Sequence, residues 1–178
     1  MPSPTHALHL AGVLLALAVL AGCSGRAPTS DESATSVPEV QTAPQNETDQ
    51  LQQQARRGDL ESQFQLGSQY FVGQPQRDLH QAEYWWKQAA DKGHSMAAVS
   101  LAYLYTGRDA PELANQRDML RYLNQSAAAG NAMAQHILGN LYRRGEGGVP
   151  RDPDQARRLY QSACLQDYEP SCTTLKQL

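Results

Sequence analysis

Three cysteines, Cys23, Cys164 and Cys172, are the residues of this chain best equipped for chemistry. A thiol can be acylated, ligate a metal, shuttle electrons or form a disulfide, and spacing separates these uses. Cys164 and Cys172 stand on either side of Pro170, too far apart in sequence for the usual redox pair, which has two intervening residues. Zinc would require two further ligands, and no neighbouring residue supplies them. His80, His94 and His136 fall in different sequence contexts and form no ligand set. The chain contains no Ser-x-x-Lys, no Gly-x-Ser-x-Gly and no His-Glu-x-x-His. There is no phosphate-binding Gly-rich loop, since Gly145-Glu146-Gly147-Gly148 falls at a repeat joint instead. A noncatalytic protein with no cofactor and no metal is therefore expected.

Cys23 has a different setting. Every residue from Leu10 to Leu20 is apolar or glycine, a run too short to span a bilayer, which takes roughly 20 residues. Its end, Leu20-Ala21-Gly22-Cys23, resembles the lipobox of bacterial lipoproteins. The resemblance implies removal of Met1 to Gly22, a diacylglyceryl group on Cys23 and three acyl chains in all, palmitate among them. Such an anchor would exceed the marginal hold of a single chain. Ser24 in place of Asp after the cysteine implies the outer membrane, facing the periplasm or the cell surface. The segment departs from the usual signal in one respect, for Met1 to Leu10 carries neither Lys nor Arg. The formal net charge of −3 provides no basic footprint for nucleic acid.

Residues 23–46 contain Pro28, Pro38 and Pro44 among Ser, Thr, Gln, Asp and Glu, and offer little apolar surface to offset the entropy of folding. They are expected to form a disordered tether behind a 1–22 signal. From residue 47 to 178 the chain repeats itself. Leu66-Gly67-x-x-Tyr70 recurs as Leu101-Ala102-x-x-Tyr105 and Leu138-Gly139-x-x-Tyr142, with the small residues Ser62, Ala97 and Ala134 four positions earlier. A second element places Trp85-Trp86, Tyr122-Leu123 and Leu159-Tyr160 after Ala82, Met119 and Ala156, and closes at Gly93, Gly130 and Asp167. Spacings of three, four and seven describe one buried face of a helix, so each repeat reads as two helices. Asp78, Asn115 and Asp152 stand where the second helix needs an N-cap, and Gly73, Gly107 and Gly145 where the first helix needs a left-handed end.

The pattern resembles Sel1-like repeats, relatives of the tetratricopeptide repeat. That resemblance implies an all-α, right-handed solenoid of three helix-turn-helix repeats, at about 58–92, 93–129 and 130–166. A partial helix before the first repeat, with Leu51 and Ala55 in register, and a cap over 167–178, with Ser171 and Leu175 in register, are expected to cover the ends. Repeat two departs most, with Ala102 for Gly, an early Gly107 and Met119 for Ala. Cys164 and Cys172 resemble the staple of the cysteine-rich Sel1 subgroup, which implies a disulfide. Trp85, Trp86, Tyr122 and Tyr160 are expected to pack in the core.

In tetratricopeptide relatives the first helix of each unit lines a groove. The matching positions here are Phe64, Ser68 and Phe71; Val99, Tyr103 and Thr106; His136, Asn140 and Arg143. By this resemblance the protein is an envelope lipoprotein that binds a protein or peptide as an adaptor or scaffold. Two alternatives are an immunity or inhibitor lipoprotein sequestering a toxin or enzyme, and a cysteine-rich Sel1 protein binding β-lactams or muropeptides. The missing Ser-x-x-Lys counts against an acyl-enzyme.

Overall fold

The computed structural model describes residues 43–178. The expected signal, Cys23 and the expected tether through residue 42 lie outside the described residues. Among the described residues there is no strand, and eight α-helices follow one another. They are α1 (Ala43–Arg56), α2 (Leu60–Val72), α3 (Leu79–Ala90), α4 (Ser95–Leu104), α5 (Gln116–Ala128), α6 (Ala132–Arg144), α7 (Pro153–Cys164) and α8 (Glu169–Lys176). Each packs on the next, so α2/α3, α4/α5 and α6/α7 form three repeats of an α-solenoid flanked by α1 and α8. The first helix starts four residues earlier than the expected boundary at 47, with Pro44 in its first turn, where a missing N–H is tolerated.

Local chemistry fixes where the helices begin. Asp78, Asn115 and Asp152 accept the N–H groups of Gln81, Asp118 and Gln155 at 2.9, 3.1 and 2.8 Å. A second series caps the first helices: Asp59, His94 and Asn131 accept from Ser62, Ala97 and Ala134 at 2.7, 3.1 and 2.9 Å. Their recurrence at equivalent positions was available in the sequence but is masked by the histidine, an uncommon cap. His94 accepts through Nδ1, which directs Nε2 toward Glu61 Oε2 at 3.1 Å. After α1, α3, α5 and α7 the chain turns through Gly58, Gly93, Gly130 and Asp167, all at positive φ.

Gly73 and Gly145 end α2 and α6 in the left-handed conformation. Gly107 does not end α4: that helix stops at Leu104 with Tyr105 right-handed, and the joint continues through a 3-10 turn at Pro111–Leu113. Gly107 lies inside this joint at φ +72°, where an added Cβ would stand 2.7 Å from that of Ala114.

Leu66, Leu101 and Leu138 are buried, as are Trp86, Tyr122 and Tyr160. In repeats one and three an aromatic ring lies directly on helix backbone. A Cβ at Gly67 would fall 2.5 Å from Trp86 Cδ1, and one at Gly139 would fall 2.6 Å from Tyr160 Cε1. Repeat two holds Leu123 at the ring's position, and Ala102 at the glycine's. The exchange at Ala102 thus accompanies a smaller partner. Tyr122 and Tyr105 keep their hydroxyls paired, donating to Asp91 and Glu83 at 2.8 Å each. Burial, with Asp91 beside it, pushes the Tyr122 phenol up to about 12, and burial raises Tyr105 further.

At the far end, Cys164 and Cys172 form a disulfide with Cα atoms 4.8 Å apart, tying the last residue of α7 to α8. Ser171 is fully buried beside it, and Ala55 of α1 is fully buried at the opposite end. Ser171 Oγ shares a 2.8 Å hydrogen bond with His136 Nδ1, and the His136 ring packs between Tyr160 and Tyr168 at 5.5 Å from each. Burial, helped by Arg143, holds the His136 pKa below its ordinary value. The native state therefore binds fewer protons than the unfolded chain as pH falls through the unfolded value near 6.5. Stability contributed by the neutral ring is complete above that value and declines below it. Urea unfolding at pH 7.5 and 5.5 is expected to show lower stability at 5.5, with the difference reduced in His136→Gln.

Candidate functional site

Two adjoining cavities run along the first helices. The larger, about 390 Å³, is bounded by Ser68, Phe71 and Val72 of α2, by Met96, Val99, Ser100 and Tyr103 of α4, and by Met133 and Ile137 of α6, with Trp86 of α3 also in the lining. The smaller, about 270 Å³, continues from Tyr103 and Ile137 past Thr106 and Arg108 to Leu141, against Met119 and Leu123 of α5. Tyr103 and Ile137 belong to both, so the cavities form one groove.

The groove is largely apolar and partly open. Val72 is 63% exposed and Tyr103 42% exposed, so part of this apolar wall faces water. Phe71 is held firmly in its wall. Its ring meets Tyr103 edge-on at 6.0 Å and Trp86 at 5.3 Å, and the Arg77 guanidinium lies 5.4 Å from its centre. Arg77 also donates to the Phe71 carbonyl and pairs with Asp109 at 3.1 Å. Met96 and Met133 contribute flexible thioethers that can adapt to irregular partners.

The structure divides the nine predicted groove positions. Ser68, Phe71, Val99 and Tyr103 line the larger cavity and Thr106 the smaller. Phe64, His136, Asn140 and Arg143 line neither. Phe64 stacks on His94 at 4.9 Å. Asn140 accepts the Tyr160 hydroxyl at 3.0 Å, and the exposed Arg143 uses its carbonyl to receive Arg151. In the third repeat these positions are taken up internally: the cap α8 engages His136 through Ser171, and Tyr160 of the same repeat holds Asn140.

Sequence reasoning missed Met96, Ser100, Met133, Ile137 and Leu141. The recurrence of methionine immediately before Ala97 and Ala134 was the available signal. The mostly apolar lining suits binding by shape and apolar contact.

Comparison with known proteins agrees with this architecture. The Sel1 repeat family matches residues 60–94 and 132–168, which are the first and third repeats. The intervening unit, with its altered joint and Ala102, is not matched. A Sel1 repeat protein from Oxalobacter formigenes is similar at 27% identity and a TM-score of 0.65, over 75% of this chain and 99% of that one. The antigen c5321, a protective antigen present in uropathogenic Escherichia coli strains and displaying an SLR fold, is similar at 27% identity and a TM-score of 0.62. That likeness covers 70% of this chain but only 27% of the antigen. No curated protein is a significant sequence match. Sel1 repeat proteins are generally noncatalytic scaffolds that bind protein partners. With two matched repeats and the same helical solenoid as solved Sel1 structures, this chain is a Sel1-like repeat protein.

Proposed function

We propose that the chain is a noncatalytic adaptor of the bacterial cell envelope, anchored by lipid on Cys23, that receives a protein or peptide segment in the groove of α2, α4 and α6. The carrying observation is the groove itself, whose apolar wall leaves Val72 and Tyr103 exposed. A segment with one or two bulky apolar side chains fits this surface, since Tyr103 gives a rigid contact and the methionines an adaptable one. Leu20-Ala21-Gly22-Cys23 supports the anchor and Ser24 the outer membrane. Attachment would place the solenoid within a few nanometres of that membrane, where a partner of modest affinity meets it at high local concentration.

A photo-crosslinking residue placed at Tyr103 or Ile137 in cells is expected to capture a discrete partner, whereas one at the exposed Arg157 on α7 is not. The pair Tyr103→Ala and Ile137→Ala is expected to weaken the purified complex by about tenfold or more, as loss of central contacts does. Equal capture from position 157 would refute the groove assignment. Cys23→Ser is expected to leave the membrane fraction; retention there would exclude the lipid anchor.

A further inference from the structure

A separate cavity of about 270 Å³ lies where α1, α2 and α3 meet, and it shares no residue with the groove. Its lining includes Gln63, Trp85 and three cations, Arg56, Arg57 and Lys92, with no acidic side chain. Gln63 is 3% exposed, and its Nε2 donates to the Ala55 carbonyl at 2.9 Å. Its Oε1 accepts no hydrogen bond, and the buried Trp85 Nε1–H has no acceptor. Buried polar atoms are rarely left this way. The cavity greatly exceeds the roughly 10–15 Å³ that one water needs.

The other repeats act as internal controls. Gln135, the third-repeat counterpart of Gln63, makes the corresponding bond to the Ala127 carbonyl at 3.2 Å and receives Gln166 Nε2 on its Oε1 at 3.0 Å. The second-repeat counterpart is Ala98, fully buried. The fold thus requires no amide here, and where one is present a neighbour can satisfy it. In the first repeat the place of Gln166 is taken by Lys92, and the open acceptor, the residue with the unpaired indole donor and three positive charges line the same cavity.

We propose that this cavity binds the carboxy-terminal residue of a polypeptide. The terminal carboxylate accepts from Trp85 Nε1–H and from a cation of the lining, while the last amide N–H donates to Gln63 Oε1. Inorganic phosphate supplies the charge without the amide donor, and an amidated terminus supplies the donor without the charge. Neither orphan atom is open to water, so the terminus enters by displacing the long, exposed side chains of Arg56 and Lys92.

The test uses the folded chain and the indole N–H resonance of Trp85, identified by its loss in Trp85→Phe. Titration with N-acetyl-trialanine acid is expected to shift this resonance, and the amidated peptide and inorganic phosphate to bind at least about tenfold more weakly. Lys92→Gln, which copies the third repeat's internal bond, is expected to keep the helical circular dichroism and lose the response. The proposal fails if the acid produces no shift, if phosphate or the amide matches it, or if folded Lys92→Gln binds as before.

Discussion

Gly139→Ala is expected to destabilise the solenoid by about 2 kcal/mol, although alanine is the better helix former. The new methyl would lie 2.6 Å from a Tyr160 ring that is fully buried and tethered through its hydroxyl to Asn140, so neither side can yield cheaply. Overpacking of this kind costs about 1–3 kcal/mol, and the upper end applies here; the helical preference for alanine returns about 1 kcal/mol. Gly67→Ala should behave alike, because Trp86 lies 2.5 Å from the added atom and its Nε1–H donates to the Phe64 carbonyl at 3.1 Å. The second repeat predicts the remedy. Combining Gly139→Ala with Tyr160→Leu recreates the Ala102 and Leu123 pairing, so a double-mutant cycle should give a favourable coupling of about 1–2 kcal/mol. Urea unfolding measures all of these, and strict additivity would contradict the ring-on-backbone account.

Opening the Cys164–Cys172 disulfide is the second large effect. Closing its short loop in the unfolded chain is worth about 2.5 kcal/mol on the chain-entropy model. The consequence should be local, because in a solenoid each unit contacts only its neighbours. Reduction, or the pair Cys164→Ser and Cys172→Ser, is expected to free α8 and expose His136 and Ser171, while α2 to α5 stay protected. Amide hydrogen exchange reads this by segment. Unchanged protection of α8 after reduction would show that apolar packing alone holds the cap.

The groove was only partly legible in the sequence. Tyr103 and Phe71 occupy repeat positions and could be nominated from periodicity, but the same periodicity nominated His136 and Asn140, which the C-terminal end engages internally. Ile137 and Met133 sit on a neighbouring stripe of the same helix, and only packing shows that this stripe faces the gap. The orphan pair Gln63 and Trp85 was invisible for a related reason. Trp85 reads as a core residue beside Trp86, and it is the absence of a partner across α1, α2 and α3 that sets it apart.

By itself the sequence determined the repeat length, the two-helix unit, the three caps Asp78, Asn115 and Asp152, and the small-against-large pattern of the core. These are local matters: backbone donors need nearby acceptors, and one helix face must leave water. It also nominated the lipid site at Cys23 and, through resemblance, the cysteine pair at the repeat end. Tertiary structure decided which helix faces meet. It showed that Trp86 and Tyr160 press on glycine backbone, that α4 ends before Gly107, and that His136 belongs to the cap and Ile137 to the groove. Such choices depend on the relative rotation and spacing of successive helices, which packing between units sets and no single repeat's sequence encodes.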